Sequence, residues 1–139
     1  MPASTLAPAR PARLDTVVRN LTRVGFEAAT IDGRPLRPSD SDANGAYPKP
    51  DGGDFIAEDG EKLFPVEERR PGMVLLSVVT ADWVADLHSM AETLRGRGYA
   101  TEPSSFDLSV WVRWATPEEI AERKRAHAER VASLLNVLI

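Results

Sequence analysis

Asp40, Asp42 and Asn44, followed by Gly45 and, at the twelfth position, Asp51, stand at the spacing D-x-[DN]-x-[DN]-G of a calcium loop. A hard cation wants six or more oxygens. In this pattern three side chains supply oxygens to the concave side of a turn that Gly45 permits, the Ala46 carbonyl adds a ligand, and a carboxylate closes the shell. Asp51 is one methylene shorter than the Glu that usually closes it. The flanks, Arg37-Pro38-Ser39 and Gly52-Gly53, do not read as helices. Asp, Asn, Ser, Gly and Pro are also the ordinary material of turn-rich loops, and Pro48 and Pro50 fit that reading equally well. The segment is therefore either a loop-borne divalent-cation (calcium) site or a loop without a ligand. No other cofactor is implied.

Other chemistry is sparse. The two histidines are His88, one helical turn before Glu92, and His127, in a highly charged stretch. Neither has a partner at metal-ligand spacing such as H-E-x-x-H. The chain contains no nucleophile elbow, phosphate-binding glycine loop or dinucleotide fingerprint. Carboxylates are plentiful, as in Glu67-Glu68, but spacing alone does not bring two together as an acid and base. A non-catalytic protein is expected, with an enzyme lacking a recognisable motif as the third reading.

The chain of 139 residues suits a single domain. Its 42% hydrophobic and 27% charged content is that of a globular protein rather than a disordered one. A net charge of -4 points away from nucleic acid, and no apolar run reaches membrane-spanning length. With no cysteine there can be no disulfide or thiolate chemistry. Residues 1–12 lack the apolar stretch of a secretory signal and read as an N-terminal arm. The expected location is the cytoplasm, or a particle assembled there.

Nine of the 11 prolines precede Gly72, so regular structure should concentrate after it. Before it, Leu14, Val17, Val18, Leu21 and Val24 recur at helical spacing, with Pro11 able to open the helix and Gly25 to close it. Phe26–Ile31 predicts a short strand, and residues 32–54 a long irregular loop with few apolar anchors, chiefly Leu36 and Tyr47. Glu58-Asp59-Gly60 between Asp54–Ala57 and Glu61–Phe64 predicts a hairpin. Met73–Val79, almost continuously apolar, predicts a strand covered on both faces. Thr80 can cap the next helix, whose stripe is Trp83, Leu87, Met90 and Leu94 and whose end is marked by Gly96 and Gly98. Tyr99–Glu102 predicts a short strand. Phe106, Leu108, Val110, Val112 and Trp114 then alternate with polar neighbours, a strand with one buried face. Thr116-Pro117-Glu118-Glu119 combines a capping box with Pro at the first helical position, opening a helix that runs nearly to Ile139. This order predicts an α+β domain: one mixed or antiparallel sheet, helices packed on one face, and a long C-terminal helix.

Two features point to protein partners. Trp111 falls on the polar side of its strand, where it is either covered by the chain itself or left for another molecule. The C-terminal helix passes from the charged run Glu122–His127 to Val131–Ile139, which is apolar around most of its circumference. Leu134, Leu135, Leu138 and Ile139 must dock on the chain's own core or on a neighbour.

The opening helix (Leu14–Val24), the long insertion (residues 32–54) and the strand, helix and strand of Met73–Trp114 together resemble phage tail-terminator or tail-completion proteins. That resemblance lies in the order of elements over most of the chain. It implies a non-enzymatic virion subunit, a homo-oligomer that forms a ring at the neck or tail and binds copies of itself and the proteins above and below.

Overall fold

Four of the five residues of Val74–Val78 are large and apolar, so the segment can lie only where both of its faces are covered. The computed structural model describes residues 10–37, 40, 42, 48–63, 66–105 and 108–138, and it buries every residue of this strand. The described elements are α1 (Leu14–Thr22), β1 (Thr30–Ile31), β2 (Arg34–Pro35), β3 (Phe55–Asp59), β4 (Val74–Val78), α2 (Trp83–Arg95), β5 (Tyr99–Pro103), β6 (Ser109–Trp114) and α3 (Pro117–Leu138). The fold is α+β. Its main sheet is antiparallel with strand order β3-β4-β6-β5.

Register assigns the two faces. Phe55, Val74, Leu76, Val78, Val112 and Tyr99 line one face, where they meet Val17 and Leu21 of α1 and Met90 and Leu94 of α2 in the principal core. Ile56, Glu58, Leu75, Ser77, Ser109 and Trp111 line the other. Leu63 and Met73, on the irregular connection between β3 and β4, cover Leu75 and Trp111 there. Ala29, Leu36 and Ile56 form a third cluster.

Several expectations need correction. β3 does not fold into a hairpin with residues 61–64: it pairs with β4, and Gly60–Lys62 is a 3-10 turn. Gly60 stands there because a Cβ would lie 2.2 Å from the Arg70 carbonyl oxygen and 2.7 Å from that of Met73. The 32–54 segment is not wholly irregular. Asp32 and Gly33, with φ of 50° and 78°, make a tight turn between β1 and β2, the Asp-Gly signature of a two-residue hairpin. Only Thr30–Ile31 of the predicted 26–31 strand pairs in this way; Ala28 bridges to Phe55. Leu36 is buried in the chain's own third cluster, while Tyr47 lies outside the described residues. Thr80 does not cap α2: the helix starts at Trp83 behind Asp82, and the Thr80 hydroxyl donates to Asp86 instead (2.6 Å). α1 ends at Thr22, one residue after its last buried position.

Of the predicted arm, residues 10–12 pack on the body. The Arg10 guanidinium lies 4.1 Å from the centroid of the Trp114 ring, and the Trp114 indole N–H donates to the Pro11 carbonyl (3.1 Å). Trp114 stacks in turn on Tyr99, with centroids 4.0 Å apart.

α3 does not join the helices on the sheet. None of its described residues is buried. It stays against the body as far as Ala126, and the remainder projects.

Candidate interaction surface

The anchor is a three-way clamp. Arg113 at the end of β6 reaches Glu102 on β5 (Nε to Oε2, 2.6 Å) and both carboxylate oxygens of Glu119 in the first turn of α3 (2.7 and 2.9 Å). The capping box forms as predicted: Glu119 N–H donates to the Thr116 hydroxyl (3.1 Å), and Thr116 N–H donates to Glu119 Oε1 (2.9 Å). Hydrogen bonds from Arg113, then from Thr116, hold the Glu119 carboxyl down at about 2, against partial burial. The same contacts raise Arg113 above the ordinary guanidinium range. One turn on, Arg123 donates to the Arg95 carbonyl (3.4 Å) at the end of α2.

Beyond Ala126 every described residue of α3 is exposed. The residues from His127 to Leu138 span about 18 Å at ~1.5 Å per residue. Val131, Leu134, Leu135, Val137 and Leu138 are 40%, 63%, 52%, 83% and 81% exposed. Together they leave about 500 Å² of apolar surface in water, towards the upper end of the ~300–600 Å² of the largest patch on a typical monomer. Ile139 lies outside the described residues. Among the described residues, the tail does not rest on the chain's own core.

Trp111, the other expected contact residue, is 2% exposed, so it is not a docking residue here. The polar side of β6 is a second buried face, with Leu63, Leu75 and Met73 around the indole and the Arg70 guanidinium 5.4 Å from its centroid.

Two residues of the calcium pattern, Asp40 and Asp51, are engaged elsewhere. Asp40 accepts two hydrogen bonds from the Arg34 guanidinium (2.9 and 3.1 Å) and one from Arg37 N–H (2.8 Å), and these contacts hold its carboxyl below the ordinary range. Asp51 accepts from Asp32 N–H (2.8 Å), closing the β1–β2 turn. Asp42 has a partner of its own, and Asn44 lies outside the described residues. Among the described residues no three His, Cys, Asp or Glu side chains converge as a metal group.

Sequence reasoning missed two features. One is a groove of about 320 Å³ between α2 and the β5–β6 edge, lined by Trp83, Val84, Leu87, Ala91, Pro103 and Val110. Trp83 was assigned to the core stripe, yet it is 39% exposed, and Val84 is 64% exposed. The other is the buried pair Glu58 Oε2 and Ser77 Oγ, which have no hydrogen-bond partner among the described residues. They lie on one face at diagonal positions of β3 and β4. Burial pushes the Glu58 carboxyl up, with Arg37 opposing. A larger cleft, about 690 Å³, runs between the start of α1 and the exit of β3. It is lined by Arg13, Asp15, Asp59, Glu61 and Lys62, charges of both signs, and Asp59 is already used in capping Glu61 N–H (3.0 Å).

Comparison with protein-family models, with curated proteins and with solved structures finds no match. No helix among the described residues is long and apolar enough to cross a membrane.

Proposed function

We propose that this protein is a non-catalytic assembly module that associates with copies of itself through the projecting half of α3. One observation carries the reading. A helix is fixed to the body at its base by Arg113 and Glu119, then held out into solvent with five large apolar side chains uncovered. Removing about 500 Å² from water is worth roughly 12 kcal/mol gross at ~25 cal/mol per Å². Association costs about 4–15 kcal/mol, so the net is small and the oligomer should depend on concentration. The order of elements supports a finer version, a virion neck or tail-completion ring subunit assembled in the cytoplasm. A calcium-binding role has less support, because Asp40 is already neutralised by Arg34.

The test is solution mass by light scattering across a concentration series, for the full chain and for a chain ending at Ser133. The full chain should rise above one-chain mass with concentration. The shortened chain should remain monomeric with a similar melting temperature, because residues 134–138 are all exposed in the monomer. A full chain that is monomeric throughout would overturn the reading. So would one that is monomeric in solution and sediments with phosphatidylserine vesicles, which would assign the tip to a membrane surface.

A further inference from the structure

We infer that the acceptor for the α3 tip is the groove between α2 and the β5–β6 edge of a second copy, so that the chains associate head to tail. This inference rests on the self-association proposed above and adds where the partner is held.

The first argument is shape. Val131, Ala132, Leu134, Leu135, Val137 and Leu138 cover roughly 220° of the helix at 100° per residue, about twice the ~100° stripe that serves a single flat contact. A tip apolar over more than half its circumference is better covered by a concave surface than by one facing helix. The groove is concave and its walls are mostly apolar, with His88, Arg95, Thr101 and Glu102 also lining it. At about 320 Å³ it has the size of a side-chain receptacle, at the low end of the ~300–1,000 Å³ of small-molecule sites. The tip cannot fill the groove of its own chain, since α3 leaves the body beside Arg95 and runs outward from there.

Area gives the second argument. About 500 Å² from the tip is half of the ~1,000 Å² that a specific interface needs, so the acceptor surface has to contribute the other half.

Charge gives the third and sets the direction. The tip is preceded by a collar in which Arg123, Lys124, Arg125 and Arg130 stand against Glu122 and Glu129, four cations to two anions. The groove is polarised. Asp82 and Asp86 flank Trp83 and Val84 at the start of α2, whereas at its far end Arg95 is paired with Glu92 (2.6 Å) and Glu102 with Arg113 (2.6 Å). An incoming α3 running parallel to α2 places its basic collar beside Asp82 and Asp86. The donor and acceptor surfaces differ, so the contact is heterologous and each chain has one of each to offer.

Mixing two variants tests this. Val84→Lys spoils the groove and leaves the tip: it puts a cation into the apolar wall and against the incoming basic collar, and Val84 is 64% exposed, so the folded monomer can accommodate it. Leu134→Asp combined with Leu138→Asp spoils the tip and leaves the groove. Each variant alone should have the mass of one chain at concentrations where the wild type is oligomeric. An equimolar mixture should form a 1:1 heterodimer and nothing larger, because one intact tip meets one intact groove. Far-ultraviolet circular dichroism melts of each variant check that both are folded. A Val84→Lys protein that still self-associates would show that tips pair with tips or lodge elsewhere, overturning the groove while leaving self-association standing. A monomeric wild type would overturn both.

Discussion

Replacing Glu119 by Gln should loosen the base of α3 and remove a pH dependence from the stability of the whole chain. The wild-type carboxyl is held at about 2 instead of its ordinary 4.5, chiefly by Arg113. At ~1.4 kcal/mol per pH unit this corresponds to about 3 kcal/mol. Glu119 is 36% exposed and Arg113 19%, so solvent screening reduces that to about 1–2 kcal/mol. The sign follows from linkage. A depressed carboxyl contributes its stability in full above 4.5 and loses it as pH falls towards 2. Gln cannot be ionised, so the difference between wild type and variant should be largest at neutral pH and vanish near pH 2. For a domain of this length the neutral-pH difference corresponds to roughly 3–8 °C in melting temperature. Thermal melts at pH 7, 5, 4 and 3, at one fixed protein concentration because association raises apparent stability, measure it directly. A Gln variant that melts with the wild type at pH 7, or below it by the same amount at every pH, would refute the assignment of this stability to the clamp.

Two further outcomes follow from side chains that the fold leaves in unusual states. Burial raises the Glu58 carboxyl, so its contribution is complete below 4.5 and falls away as pH rises through the raised value. Glu58→Gln should therefore stabilise the protein at pH 7 by about 1 kcal/mol and not at pH 4, in urea titrations at the two pH values; destabilisation at pH 7 would show that the carboxylate has a partner in solution. Calcium at 1–10 mM, on the order used for weak sites, should leave the melting temperature unchanged, since Asp40 is held by Arg34 and Asp51 by the β1–β2 turn. A calcium-dependent rise that disappears in Asp40→Ala with Asp51→Ala would restore the cation site.

What was legible in the sequence was local. The apolar run of β4 and the capping box at Thr116–Glu119 are signals complete within a few residues, and each produced the element it implied. What failed depended on residues far apart in the chain. Glu58-Asp59-Gly60 looks like a hairpin turn, but Gly60 is required by the close approach of the Arg70 and Met73 carbonyls. Trp111 alternates with polar neighbours as an exposed residue would, and only the 63–73 connection folding back buries it. Asp32-Gly33 is a turn signal in its own right, but it lies inside a segment whose composition otherwise predicts a loop. The apolar tail was visible at once. That the chain offers it no place to rest, and that Trp83 and Val84 open a groove elsewhere, are properties of the assembled surface that periodicity does not encode.

Hydrogen exchange of α3 at two protein concentrations tests self-association most directly. In dilute, monomeric protein the amides of residues 127–138 should exchange rapidly, because that part of the helix has no tertiary support. At concentrations where the mass exceeds one chain, the same amides should become protected while those of β4 remain protected throughout. If the tip exchanges equally fast in monomer and oligomer, the chains associate through some other surface and the account of α3 as the assembling element is wrong.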